Sequence, residues 1–464
     1  MKQSGTAVSK ETRQLGQYMA AAISRRLPAP VLEKAKHHIL DTLAAMVSGS
    51  RLPTGRLAID YVAALEGVRE ASIAGSRIIT TAANAAFANG ICAHADETDD
   101  SNQVAYIHPG CATVPAALAV AQRAGASGEQ FLRAVVLGYD VGCRLTKALD
   151  PIPFSRTERS PHSFGGTFAA GAAAGALLKL DELQSRHLLS YLAQCAGGCN
   201  SVMYDIQHNQ KAFVHAGKTA HAGVMAATMI AAGFTGTDDV FTGERNFLNA
   251  YSPNPRPDQL ADGLGERFEI MTTTIKKWCV CSPIQAVLDG CQKLIARDRL
   301  VAENVAGIEV RITPASVRTV DNSGMVDMNL QHLVALMLVD GGLTFESSHD
   351  EERLNDARVQ ALRQRIRLLG DDTLPPRNIA WHAIVEISTR DGLRLTERTT
   401  AVRGTPANPM TRDEVVAKAG DLMDGILGAR RTEKLIQMVL TIEDVTDMRQ
   451  FQPLFADRPP SRAL

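Results

Sequence analysis

Apolar residues recur every three to four positions through most of the first 250 residues. Residues 31–46 are the plainest case, with Ile39, Leu40, Leu43 and Met46 on one helical face. The same spacing predicts a helix over residues 11–26, where Leu15, Met19, Ala22 and Ile23 fall together. Pro28 and Pro30 then stop and restart the chain. Further helices are expected over residues 55–65, 78–95, 112–125, 131–148, 165–179 and 182–195. Residues 210–232 read as a helix pair or one bent helix, and residues 238–249 as a short helix. The first ten residues look frayed. No credible series of strands appears up to this point.

The texture changes after Pro255. Residues 268–274 are a candidate strand and residues 283–296 a helix. Residues 305–312 alternate as a half-buried strand should. Residues 330–338 are helical and apolar, and residues 352–368 contain at least one helix. Residues 380–388 and 393–399 flank Arg390-Asp391-Gly392, the clearest hairpin in the chain. Thr411 as N-cap and Glu414 three positions on fit a capping box, and helices follow from about Thr432. The predicted fold class is therefore mainly α: a large all-helical part, then a smaller α+β part, then helices again. The helical tail could rejoin the first part, which would make the α+β segment an insertion.

Composition narrows the partners. The chain has 464 residues, with 49 basic and 50 acidic side chains and a formal charge of -1. That balance gives no reason to expect nucleic acid or attraction to an anionic membrane. Aromatic residues are only 5%, and alanine and glycine are abundant, which favours closely packed helices. The start, MKQSGTAVSKETRQLGQ, carries no apolar signal segment, and the apolar runs are broken well short of a membrane span. A cytoplasmic location is the expectation. Cys195 and Cys199, and Cys279 and Cys281, resemble the beginnings of metal sites, but no compact Cys/His quartet completes either. Free thiols in a reducing compartment are expected.

The candidate chemistry centres on residues 86–110, AFANGICAHADETDDSNQVAYIHPG. His94, Asp96, Glu97, Asp99, Asp100, Ser101 and His108 lie there between two alanine-rich apolar runs. So many polar groups beside core segments must be solvated, paired or used. Asp96, Asp99, Asp100 and a histidine could hold a divalent metal, or the acids could orient histidines for acid–base work; some could simply cap a helix or pair with lysines. Two lysine segments supply the opposite charge, His208 to Lys218 and Ile275 to Cys279. Lys276 precedes an apolar helix and can be buried only against an anion, from the protein or from a substrate. It is expected to matter for turnover far more than for folding. His162, after Pro161, opens a helix of small residues whose amides can take a negative group. His332 interrupts LQHLVALML, and His37 and His38 are expected to be packing or surface residues. No dinucleotide fingerprint, phosphate loop, G-x-S-x-G or H-E-x-x-H is present.

Four ordered segments carry a resemblance: ANGICAHADETDDS with the following HPG, PHSFGGTFAAGAAAG, KAFVHAGKTAHAGVMAA and IKKWCVC. VDMNLQHLVALMLVDG adds a fifth. Together they resemble the MmgE/PrpD family, which includes 2-methylcitrate dehydratase, cis-aconitate decarboxylase and iminodisuccinate epimerase. The resemblance covers almost the whole chain. It implies a large all-helical domain from both chain ends (residues 1–265 plus 403–464) and a smaller inserted α+β lid domain (residues 266–402). It also implies a homodimer, no metal and no organic cofactor.

Position by position, the resemblance selects His108, His162, Lys211, Lys276, Glu97, Asp96 and His332 as catalytic candidates. Ser101, Asp100 and His215 become substrate-binding candidates. Glu97 stands at the family's active-site aspartate, with Asp96 beside it as a possible substitute. Ser101 replaces a threonine, His332 replaces the tyrosine of the decarboxylases, and Cys279 replaces a proline. The implied activity is cofactor-independent proton abstraction from a small di- or tricarboxylate. Dehydration of a 2-methylcitrate-like hydroxy acid is the leading expectation. Epimerisation of a dicarboxylate such as iminodisuccinate, decarboxylation of a cis-aconitate-like acid, and non-catalytic carboxylate binding are the alternatives.

Overall fold

The computed structural model describes residues 8–376 and 379–457. The frayed start expected over residues 1–10 falls largely outside them. The chain divides into two compact units, here called the helical unit and the lid unit. The helical unit comprises residues 1–95, 100–273 and 415–464, and the lid unit residues 96–99 and 274–414.

The helical unit begins with α1 (Lys10–Ala21), α2 (Ala29–Gly49) and α3 (Pro53–Ala63), each opening close to the sequence signal for it. Pro28 caps α2 and Pro53 occupies the first position of α3, where a missing N–H costs nothing. The helix expected over residues 78–95 starts later. Ala71–Ser72 (β1) and Ile79–Thr80 (β2) first form a short antiparallel ladder, and Thr81 then caps α4 (Ala82–Ala93) by accepting from the Asn84 amide. Next come α5 (Gly110–Ala124), α6 (Gly128–Ala148), α7 (Pro151–Ser155), α8 (Pro161–Leu177) and α9 (Glu182–Cys195).

Small residues let these helices approach closely. A Cβ at Gly142 on α6 would lie 2.7 Å from the Ala169 Cβ of α8. The expected bend after residue 210 is a wide turn. The helix α10 (Asn209–Ala212) runs through a π-helical turn at Phe213–Gly217 into α11 (Lys218–Ala231). Only α12 (Phe247–Tyr251) forms in the region expected to be helical over residues 238–249. The candidate strand at residues 268–274 is instead a 3₁₀ turn, Glu269–Thr272. There the Asp140 carboxylate accepts from the Glu269 amide, and the Thr273 hydroxyl donates to the Glu269 carbonyl. Local side-chain bonds of this kind compete with a ladder.

The lid unit carries α13 (Gln285–Asp298), α14 (Pro314–Val320), α15 (Leu330–Asp340), α16 (Phe345–His349) and α17 (Ala357–Arg363). Its four-stranded sheet has the order β4-β3-β5-β6, from β3 (Val305–Ile312), β4 (Ile366–Gly370), β5 (Ala383–Thr389) and β6 (Arg394–Thr399). The pair β3/β4 is parallel and the others are antiparallel, with Val310 opposite Val385 and Ile387 opposite Leu395. Val385 and Ile387 alternate inward and join Val287, Leu288, Leu333 and Leu336 in one core. This alternation is what the 2.0-residue period of the sequence encodes.

The chain closes with α18 (Arg412–Leu427) and α19 (Ala429–Leu440). The capping box at Thr411 forms: its hydroxyl accepts from the Glu414 amide at 3.3 Å, and the Glu414 carboxylate accepts from the Thr411 amide at 2.8 Å. All eight cysteines are free thiols. Among the described residues, no helix is long and apolar enough to cross a membrane.

Candidate active site

The segment between α4 and α5 is built around Asp100, which is fully buried. Its Oδ2 accepts from the Tyr139 hydroxyl at 2.5 Å and lies 2.7 Å from His38 Nδ1. Its Oδ1 accepts from the Gly110 amide at 3.0 Å. Both carboxylate oxygens are therefore committed within the protein. Gly110 is required by this crowding: a Cβ there would lie 2.7 Å from both the Thr42 and Tyr139 hydroxyls and 2.8 Å from Asp100 Oδ1. His38, expected to be a packing or surface residue, is instead part of this network. Its complete burial holds the imidazole down at about 4, against the opposing bond from Asp100.

Asp100 also fixes a tautomer. Its backbone carbonyl lies 2.6 Å from His108 Nδ1. A carbonyl can only accept, so Nδ1 carries the hydrogen, and Nε2 is the atom through which His108 exchanges a proton. The Asn102–Ile107 bridge closes the loop that carries it.

Five histidines gather in the helical unit. His94 caps the end of α4, His108 precedes α5, His162 sits in the first turn of α8, His208 precedes α10, and His215 lies in the π turn. The rings of His162 and His215 stack at 4.2 Å between centroids, and those of His108 and His162 at 4.9 Å. His94 is 5.1 Å from both His108 and His215 and 5.2 Å from His208. His215 Nδ1 and His94 Nε2 are 3.1 Å apart, so one proton serves the pair. Burial pushes His215 well below the usual histidine range, and the positive charges available at His162, His94, Lys211 and His108 push it further. Lys211 is itself buried, on the short helix that leads into the π turn. A cluster of this kind, rich in N–H donors, suits carboxylate oxygens. π turns recur where a helix is bent for function.

The lid unit holds a second cluster. Lys276 is fully buried and donates to the Glu97 carbonyl at 2.7 Å; its Nζ lies 3.5 Å from Glu97 Oε2 and 3.5 Å from Asp99 Oδ1. Burial opposes its charge, but Asp99 and Glu97 outweigh burial and hold it above the ordinary lysine range. Asp96, considered as a substitute for Glu97, points elsewhere: its Oδ2 is 2.9 Å from His349 Nε2, and its oxygens accept from the Thr98 amide and hydroxyl. His332 is completely buried on α15. Burial lowers it to about 4, and the charges acting on it are those of Arg363, Arg353 and Asp350.

The structure thus groups His108, His162, His215 and Lys211 in the helical unit, with Ser101 and Asp100 on the same loop as His108. It groups Lys276, Glu97 and Asp96 in the lid unit. Sequence reasoning passed over His38, Tyr139, His208 and His349 as site residues. His208 had a signal, three positions before Lys211 in one segment. His349, in an ordinary polar stretch, had none.

A mainly helical chain with a smaller α+β part, burying lysines and imidazoles, has the make-up of a carboxylate-acting enzyme. The sequence matches the MmgE/PrpD N-terminal domain over residues 13–260 and the MmgE/PrpD C-terminal domain over residues 278–444. The chain belongs to the MmgE/PrpD family. Among its relatives is the cis-aconitate decarboxylase of Homo sapiens, 26% identical over 443 residues, 90% of this chain and 88% of that one. The cis-aconitate decarboxylase-like protein oryM of Aspergillus oryzae is 24% identical over 460 residues, 93% of this chain and 94% of that one. The cis-aconitate decarboxylase of Mus musculus is 24% identical over 442 residues, 90% and 87% respectively.

Proposed function

We propose that this protein is a lyase that generates a carbanion beside a carboxylate of a small di- or tricarboxylate, with decarboxylation of a cis-aconitate-like acid as the reaction. The observation that carries the reading is the fixed His108 tautomer within a cluster of imidazoles that also holds Lys211. Lys211 would neutralise a substrate carboxylate, and Lys276 is the lysine candidate of the lid unit. Arrival of the polyanion would favour the charged form of the nearby imidazoles, so that one of them takes up a proton on binding.

In decarboxylation the C–C bond to the departing carboxylate breaks. Carbon dioxide leaves, and the electron pair remains on carbon, spread into a neighbouring carboxylate. Hydrogen-bond donors stabilise that charge as it develops. An imidazolium, His108 through Nε2, then gives its proton to carbon.

Dehydration, the reaction favoured on sequence grounds, passes through a similar carbanion-like state, as does epimerisation. The names of the relatives favour decarboxylation among the three. The test is a panel of cis-aconitate, citrate, 2-methylcitrate and iminodisuccinate in deuterated buffer, followed by NMR together with carbon dioxide detection. Release of carbon dioxide with one deuterium in the product is the expected result, and His108→Gln should suppress that labelling. Water loss or C–H exchange without carbon dioxide would replace decarboxylation by dehydration or epimerisation. No change in any acid would overturn the reading.

A further inference from the structure

We propose that His349 is a positioning residue: it holds Asp96, and through Asp96 the segment 96–99, in the conformation that brings Glu97 and Asp99 to Lys276. The inference rests on the reading that the Lys276 cluster serves the reaction, and it assigns a role to a residue outside that cluster.

His349 closes the five-residue helix α16, and its ring lies against Phe345 at 4.3 Å between centroids. Nδ1 is 2.9 Å from the Phe345 carbonyl, which can only accept. Nε2 is 2.9 Å from Asp96 Oδ2, the distance of an ion pair. An anion at that distance from Nε2, with Nδ1 held by the carbonyl, favours the charged imidazolium. The electrostatics agree: burial opposes the charge, but the bond and charge of Asp96, with Asp327 adding to them, push His349 up to about 9. The same partnership, with Thr98, pulls Asp96 below the ordinary carboxylate range despite its burial.

Hydrogen bonds on either side of Asp96 tie the segment 96–99 together. The Asp96 side chain folds back on its own segment, accepting from the Thr98 amide at 3.1 Å and from the Thr98 hydroxyl. The Glu97 amide donates to Asp327 at 3.2 Å, and the Glu97 carbonyl accepts from Lys276. Without the imidazolium, Asp96 would be a buried carboxylate served only by local Thr98 donors. Such a group must take up a proton or turn toward water. Either change releases the Thr98 turn and displaces the neighbouring Glu97 carbonyl from Lys276.

The experiment compares His349→Ala, His349→Gln, Asp96→Asn and the double variant His349→Ala/Asp96→Asn. Turnover of the acid consumed by the wild type is measured, together with amide hydrogen exchange in peptides covering residues 96–99. The expected result is a loss of about tenfold or more in kcat for His349→Ala, with KM within about twofold of the wild type. His349→Gln, which keeps one donor, should recover part of the loss. The double variant should be no worse than the poorer single variant, and exchange at residues 96–99 should accelerate. Wild-type kcat in His349→Ala, additive losses in the double variant, or unchanged exchange at residues 96–99 would each overturn the proposal. If His349→Ala does not fold, His349→Gln against Asp96→Asn carries the same comparison. The exchange measurement needs no substrate. Faster exchange with no wild-type activity on any carboxylate would retire the functional reading and leave the positioning role standing.

Discussion

Lys276→Met should destabilise the lid unit as well as impair turnover. Lys276 is fully buried, and its ammonium faces Glu97 and Asp99 at 3.5 Å each. At that distance and an effective dielectric of about 20, each contact represents about 5 kcal/mol of Coulomb attraction. Methionine also removes the cost of burying the ammonium, so the net loss is that of breaking a buried pair, about 3–5 kcal/mol. The assay is built into the chain: its two tryptophans, Trp278 and Trp381, are both buried in the lid unit's core. Their fluorescence in a urea titration therefore reports that unit. The sign with pH follows from the carboxylates. Left without a counter-charge, they rise above the ordinary range, and the folded variant binds protons that its unfolded chain does not. The deficit should then shrink as pH falls from about 7.5 to about 5.5. A loss under about 1 kcal/mol, or a deficit that grows on acidification, would refute the reasoning. The expectation from sequence, that Lys276 matters for turnover far more than for folding, would survive only in that case.

Gly110→Ala should cost about 2–4 kcal/mol, because its methyl group must displace two hydroxyls and a carboxylate oxygen that satisfy one another; a wild-type urea midpoint would show that the loop yields instead. The wild type should lose stability in acid through His38. Its folded value lies at about 4, below the ordinary 6.5, so the unfolded chain binds a proton that the native state refuses. The contribution is intact above pH 6.5 and is lost as pH falls toward about 4. The difference corresponds to about 3 kcal/mol. Stability curves for His38→Gln that keep the full acid slope would remove His38 as its source.

The helices over residues 31–46 and 182–195 and the strand at residues 305–312 were legible because one face of each is buried, and burial writes its period into the sequence. The capping box at Thr411 was legible because it is complete within four residues. The strand expected near Phe268 was wrong for a long-range reason: Asp140, more than a hundred positions away, takes the Glu269 amide. The length of α4 was overestimated because residues 71–72 claim residues 79–80 for a ladder that no local pattern announces.

The sequence by itself determined the fold class, the family and the supply of histidines, acids and lysines, since all three follow from local periodicity and short ordered segments. Only the tertiary structure decided how those side chains are spent. It gathers histidines from positions 94, 108, 162, 208 and 215 into one cluster, commits Asp100 to Tyr139, His38 and Gly110, and gives Asp96 to His349 rather than to Lys276. The reason is that a buried charge takes whichever partner the packing brings within hydrogen-bond reach. That partner can lie anywhere along the chain, as His349 does, 253 positions from Asp96.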